Sequence, residues 1–424
     1  MIQRIMVAGG GTGGHLFPGL AVVEELRRRV PGLEVKFVGT ARGIEARLLP
    51  GRGEALDLLE VTPLKGQGLG ARFKSFARIP TAMMQASFLM RDFAPDLVLG
   101  VGGYASGPVL LSAALSGRPT ALLEQNAHVG MTNRMLARFV DRAYITFEQT
   151  AAVFGKRKSR LTGNPVRQEF VEYARRAIAD PEGFESRAGT VLVLGGSQGA
   201  RKINEDVPRA LARAGIARRR IEVIHQTGEA MRDQVETTYR ELGIRATVVT
   251  FIDEIARAYA SAALVVARAG ATTLAELCAI GRPSILIPFP FAADDHQTKN
   301  AKALEAQSAS ICVPESELEV DSLGDLINAL LDDPATRQVM ARAAREHGRP
   351  DAAAAIVDDM IAWLGGAERS GKATAKLDDE SPPGTQYSGL GMAPVLRLGC
   401  PELALRPVTP RPRRPVVVDG VVWE

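Results

Sequence analysis

"GGGTGGHLFPGLAVVEEL", residues 9–26, decides the fold. It follows a β-branched run, RIMVAG (4–9), and five of its first six residues are glycine. His15 and an amphipathic helical pattern come next. Glycine loses more conformational freedom on folding than any other residue, so a run of it needs a use. Helix starts carry unpaired N–H groups and a partial positive charge. They hold phosphate where no side chain blocks the approach. A strand, a glycine turn and a helix therefore read as the first unit of a nucleotide-binding, doubly wound α/β sheet. Gly9, Gly11 and Gly14 fit G-x-G-x-x-G read literally. The dinucleotide fingerprint also wants an acid ending the second strand. That strand here ends FVGTAR, with Gly39 and Thr40, which counts against a nicotinamide cofactor.

The turn recurs. GVGGYASGPVLLSAAL (100–115) and LGGSQGARKINEDV (194–207) each follow a strand pattern and open a helix. Glycines that merely make tight turns are the plain alternative. Three such turns, with His15, Tyr104 and Ser197 among them, weigh against it. No G-x-x-x-x-G-K-[ST] occurs, which excludes a P-loop ATPase.

Around these turns, short apolar runs alternate with helical patterns in two series. The first runs from RIMVAG to AYITF (143–147), the second from TVLVLGG (190–196) to SASICVP (308–314). Alternation of this kind builds parallel sheets with helices on both faces. The stretch 159–189, with Pro165 and Pro181, reads as an interdomain linker with a short helix. The expected organisation is a domain at 1–164, a second at 165–350, a helix at 351–366 and a tail at 367–424. The tail is rich in Pro, Gly, Ser and charge and is expected to lack fixed structure.

At 424 residues, 46% hydrophobic and 24% charged, the chain suits two or three soluble domains. A net charge of +4 is too small for a dedicated nucleic-acid binder, and no nucleic-acid partner is expected. It fits an anionic small molecule or membrane surface. Cys278, Cys312 and Cys400 are far apart and in no metal-ligand spacing, so a reducing compartment is expected. The start, MIQRIMVAGGG, enters a strand at once and shows no secretory leader. No run reaches the ~18 apolar residues of a membrane span.

The turns belong to a longer series of motifs. In order these are GGGTGGHLFPGLA, GVGGYASGP, EQNAHVGMTN, TGNPVR, GGSQGA, and ARAGATTLAEL followed by PFPFAADDHQTKNA. Over roughly residues 1–365 the series resembles the bacterial MurG family of glycosyltransferases, which make lipid II from lipid I. The resemblance implies two Rossmann-like domains facing a cleft, the GT-B fold. It implies inverting transfer of N-acetylglucosamine from UDP-GlcNAc to the 4-hydroxyl of MurNAc in lipid I. It implies no metal or other cofactor, work at the cytoplasmic face of the bacterial inner membrane, and a last helix, DAAAAIVDDMIAWL (351–364), that crosses back to the first domain. The family often has His before the Glu of EQN. Here that position is Leu123, so any acceptor role of that histidine does not carry over.

With the resemblance in hand, residues take roles. Ser197, Gln198, Gly199 and Ala200, at a helix start, are expected to hold the donor diphosphate as charge builds on it. Thr12, Gly13 and Gly14 close on phosphates and acceptor from the other side. Arg167 is placed for the diphosphate or uracil, or for a linker salt bridge. Ile252 is assigned to uracil, Glu276 to the ribose, Gln297 to the sugar hydroxyls, and Thr272 and Tyr104 to the substrate cleft. Inversion needs a base. His15 is the chemical choice, with capping or phosphate binding as its alternative. Glu124 is either the base or a group that orients another, and Asn126 flanks it.

Residues 63–93 interleave Lys65, Arg72, Lys74, Arg78 and Arg91 with Phe73, Phe76, Ile79, Met83, Met84 and Phe88. That pattern suits a helix on an anionic inner leaflet or a core helix with a basic outer face. The rival functions are another GT-B UDP-sugar enzyme (an epimerase, or a transferase with a different acceptor), a dehydrogenase, and a non-catalytic UDP-sugar scaffold.

Overall fold

Strand β1 (Arg4–Gly9) shows why the sheet forms. Ile5 and Val7 pack into one apolar cluster while Met6 and Ala8 pack into another, and all four are buried. Side chains of a strand alternate between faces, so a strand apolar at every position must be covered on both. The computed structural model describes residues 2–60, 79–186, 188–196 and 199–367, with short strands at 416–418 and 421–423. The first sheet runs β3 (Leu56–Leu58), β2 (Glu34–Gly39), β1, β4 (Leu97–Gly102), β5 (Thr120–Glu124), β6 (Arg142–Ile145), β7 (Ser159–Leu161). The second runs β10 (Ala246–Val249), β9 (Glu222–Gln226), β8 (Thr190–Leu194), β11 (Ala262–Ala267), β12 (Ser284–Leu286), β13 (Ile311–Cys312). Every pairing in both is parallel. In β8, Val191 and Val193 face one cluster and Leu192 and Leu194 the other. Strand order reverses between β1 and β4 and between β8 and β11, and ligands of such sheets bind beyond the strand ends at those points.

Two segments differ from the sequence reading. β3 and β7 are three-residue edge strands, too short to show an alternation. The stretch read as a linker with one short helix holds β7 and two helices, Gln168–Ala179 and Pro181–Ser186. Phe170, Ala174 and Ala177 recur on one face of the longer helix and are fully buried in the second domain's core. The final helix, Ala352–Ala367, returns to the first domain: Ile356, Val357 and Met360 join its core, and Asp359 accepts from Tyr144 at 2.9 Å and from Arg160 at 3.0 Å. In a separate unit, Val416–Val418 and Val421–Trp423 pair antiparallel, and the rest of the tail lies outside the described residues. No described helix is long and apolar enough to cross a membrane.

Candidate active site

The first glycine turn is stitched to the second. Gly10 N–H donates to the Gly102 carbonyl at 3.0 Å. Gly9 and Gly10 both have φ above +130°, and a Cβ on Gly9 would lie 2.1 Å from the Gly102 oxygen, so no side chain is tolerated there. Helix Gly13–Arg29 follows, with Thr12 exposed at its N-cap, no acid in its first turn and Arg27, Arg28 and Arg29 in its last. His15 sits one turn in. Its Nδ1 lies 3.2 Å from the Gly10 carbonyl, which only accepts, so Nδ1 carries the proton and Nε2 carries the lone pair. Burial lowers the His15 pKa, the Gly10 bond opposes this, His296 lowers it further and Glu45 raises it. The ring is thereby kept neutral and basic at Nε2 near neutral pH. Tyr104, 44% exposed, stands at the second turn.

Glu124, at the end of β5, is 2% exposed. One carboxylate oxygen accepts from the Asn126 amide at 3.1 Å and its side chain at 3.4 Å; the other accepts from Gly130 N–H at 3.1 Å and Asn133 at 3.0 Å. Burial raises its pKa and these bonds counter the rise. A carboxylate so occupied ties together the loop 125–130. Leu123 beside it is buried among the core residues of the first domain. The departure from the family at that position therefore falls on packing.

The two domains meet at this loop and at the first helix. Asn300, fully buried, accepts from Ala127 N–H at 2.9 Å and donates to Asn126 Oδ1 at 3.2 Å. Thr272 Oγ1 donates to the Gly14 carbonyl at 3.1 Å. Arg167 lies 3.1 Å from Glu276 and over the rings of Phe17 and Phe170, at 5.1 and 5.2 Å. Burial raises the Glu276 pKa and Arg167 pulls it back. The salt bridge considered for Arg167 is thus present, and its partner is the residue assigned to the ribose.

On the donor side, helix Arg201–Arg213 begins just past the third glycine turn. Gly199 has φ +77° and closes a turn through its N–H on the Gly196 carbonyl at 3.1 Å; a Cβ there would lie 2.3 Å from the Thr227 oxygen. Ser197 and Gln198 lie outside the described residues. Ile252 gives its N–H to Gln226 at 3.1 Å, and Gln297 accepts from Phe289 N–H at 3.0 Å. Among the described residues no three His, Cys, Asp or Glu side chains gather as a metal site would need. Sequence reasoning missed Glu45, Gln226, His296 and Asn300. Asn300 carried a signal, since it stands one helical turn after Gln297 on the same face.

Two Rossmann sheets joined across paired glycine turns, with His15 on one side and a carboxylate–arginine pair on the other, have the architecture of the GT-B class of glycosyltransferases. Residues 5–145 match the glycosyltransferase family 28 N-terminal domain and 190–356 its C-terminal domain. The UDP-N-acetylglucosamine–N-acetylmuramyl-(pentapeptide) pyrophosphoryl-undecaprenol N-acetylglucosamine transferase of Anaeromyxobacter dehalogenans is 47% identical over 356 residues, 84% of this chain and 92% of that protein. The crystal structure of MurG from Acinetobacter baumannii aligns with a TM-score of 0.65 at 31% identity, over 84% of this chain and 98% of that one. The chain belongs to the MurG family of glycosyltransferases. A solved UDP-N-acetylglucosamine 2-epimerase, 14% identical with a TM-score of 0.58 over 86% of this chain and 97% of its own, shares the fold alone. Family membership thus favours transfer over the epimerase and dehydrogenase readings.

Proposed function

We propose that this protein transfers N-acetylglucosamine from UDP-GlcNAc to the 4-hydroxyl of MurNAc in undecaprenyl-linked lipid I, inverting C1 and forming lipid II for peptidoglycan, and thus for cell shape and division. The relatives' name gives the sugar and the acceptor. The observation that carries the chemistry is the His15–Gly10 bond, which leaves Nε2 as a proton acceptor at the seam between the domains. As the acceptor oxygen bonds C1, its proton passes to Nε2, and the C1–O bond breaks with its electron pair leaving on UDP. The helix start after Gly199, with Ser197 and Gln198, meets the growing diphosphate charge. Thr12, Gly13 and Gly14 serve the acceptor side with Tyr104 and Asn126. Glu276 and Arg167 exchange their mutual bond for ribose and phosphate, Gln297 reads sugar hydroxyls, and Gln226 yields the Ile252 amide to uracil.

The chain works as a peripheral protein on the cytoplasmic face of the inner membrane, held by residues 63–93. Residues 61–78, with Phe73 and Phe76, lie outside the described residues. Helix Ile79–Phe93 presents Met84 and Phe88, 57% and 64% exposed. Met131 and Met135, with Arg134, are exposed on the helix Met131–Leu136 of the same domain. Each cation near an anionic leaflet contributes about 1 kcal/mol.

The test is transfer from labelled UDP-GlcNAc to a lipid I analogue in vesicles, with and without chelator. Chelator-insensitive formation of the β-linked disaccharide is expected. UDP release without acceptor, or epimerised sugar, would overturn the reading.

A further inference from the structure

Glu45 is a buried carboxylate that the reaction as set out leaves unused. It is 1% exposed, at the start of the short helix Glu45–Gly51. Oε2 accepts the Gly11 amide at 2.7 Å, and Oε1 accepts the Thr40 amide at 2.9 Å and the Thr40 hydroxyl at 3.1 Å. Glycines make the space for it. A Cβ on Gly10, Gly39 or Gly43 would stand 2.4, 2.4 or 2.1 Å from its nearest side-chain atom. Backbone N–H groups turned inward in this way make a nest for an anion. Here the chain's own carboxylate fills it.

The filled nest is coupled to the base. Gly11 is tied to Glu45, and its neighbour Gly10 is tied to Gly102 through its N–H and to His15 through its carbonyl. We infer that Glu45 is a positioning residue for the transfer, a built-in anion that fixes the first glycine turn and, through the Gly10 carbonyl, the tautomer and aim of His15. The inference rests on the reading of His15 as proton acceptor. A corollary is that the Gly11 amide is not available to an acceptor pyrophosphate, which must be met farther along, at Thr12 to Gly14. The ionisable groups that act on His15 are Glu45, behind the turn, and His296, from the other domain. Glu45 favours the imidazolium and His296 opposes it.

The experiment compares Glu45→Gln, Glu45→Asp and His15→Gln in the full chain, below the melting temperature of each. Steady-state transfer to a lipid I analogue is followed across pH, and UDP binding is followed by calorimetry. Glu45→Gln removes the charge and turns an amide NH₂ toward an N–H donor. Its kcat should fall on the order of tenfold or more, part of the 10²–10⁴ that a lost base costs. The acid limb of its kcat/KM should move to lower pH, with UDP affinity unchanged. Glu45→Asp keeps the charge, so its limb should stay in place while kcat falls less. The inference is overturned if Glu45→Gln leaves kcat and limb as in the wild type, or if its loss matches an unfolded fraction with the limb unmoved. If His15→Gln transfers at the wild-type rate, the base assignment fails, and this inference with it. An inactive His15→Gln beside a wild-type Glu45→Gln profile sinks the Glu45 inference alone.

Discussion

The Thr272 hydroxyl of the second domain donates to the Gly14 carbonyl of the first at 3.1 Å, and the bond has a cause in the sequence. Pro18 lies four residues after Gly14, inside the helix. Proline has no N–H, so the Gly14 carbonyl lacks its helical donor. Thr272 supplies one from across the seam. Thr272→Val should weaken interdomain coupling by about 1 kcal/mol, the worth of such a bond, lowering kcat/KM roughly fivefold. Pro18→Ala restores an amide beneath the carbonyl and should make Thr272→Val nearly silent. A double-mutant cycle on kcat/KM measures this, and strictly additive effects would refute the account.

Arg167 and Glu276 form a mostly buried pair at 3.1 Å. Arg167→Ala would leave the carboxylate buried without its cation, at a cost of about 3 kcal/mol of stability. Lysine should not restore it, because the guanidinium plane also stacks on Phe17 and Phe170. The double variant Arg167→Ala with Glu276→Gln should recover most of the stability and none of the donor affinity. Urea unfolding read beside UDP titration separates the two quantities, and recovery of both together would remove Arg167 from the donor site.

His15 has its pKa lowered from 6.5, chiefly by burial. Protonation of Nε2 abolishes its basicity, so a lowered pKa extends activity toward acid. The acid limb of kcat/KM should therefore fall below pH 6.5, and His15→Ala should lower kcat by on the order of 10²–10⁴ with little change in donor KM. A limb at or above the ordinary histidine value would point to another base.

The central strands and all three glycine turns were legible because both signals are local: apolar runs of strand length, and glycine where the backbone must stay bare. A short helix was legible between the domains, but the packing of Gln168–Ala179 into the second domain's core was hidden, because Pro165 and dense charge mimic a linker and Phe170, Ala174 and Ala177 mark only one face. Edge strands of three residues carry no period. At the site, the motifs supplied the candidate residues, and Glu45 was not among them. Its meaning depends on glycines at 10, 39 and 43 converging from three places in the chain. Asn300 shares a helix face with Gln297, but its bonds to Ala127 and Asn126 of the other domain, like the electrostatic influence of His296 on His15, are encoded by no local pattern.

Met84 and Phe88 are four residues apart and exposed on one side of their helix. Each apolar side chain buried in a bilayer interface contributes about 1.5 kcal/mol or more. Replacing both with Ser should weaken vesicle binding by roughly 100-fold if both insert. Neither belongs to the core, so the melting temperature should hold. Cosedimentation with anionic vesicles over a salt series checks this. Added salt should weaken the share of binding owed to the arginines and leave the Met84–Phe88 share intact. Unchanged partitioning of the double variant would take this helix out of the membrane face.

His225 is fully buried, with Nε2 at 3.2 Å from Asn204 Oδ1 and Nδ1 at 3.0 Å from the Tyr239 hydroxyl. Asn204 spends its amide on the Thr227 carbonyl at 2.9 Å, so its Oδ1 must accept from His225 Nε2–H, and Nδ1 accepts from Tyr239. The ring is thereby fixed as one neutral tautomer behind the donor turn. Burial pushes its pKa down from 6.5 to about 3. Between those values the unfolded chain takes up a proton that the folded chain refuses, so stability must fall as pH drops from 6.5 toward 3. The slope for this one group is at most about 1.4 kcal/mol per pH unit. His225→Gln offers an amide donor toward Asn204 and an acceptor toward Tyr239 without titrating. Its unfolding free energy at pH 7 should be somewhat lower than wild type, and the difference should shrink or reverse by pH 4. Urea midpoints at both pH values measure this, and parallel pH slopes for the two proteins would show that His225 does not drive the acid sensitivity.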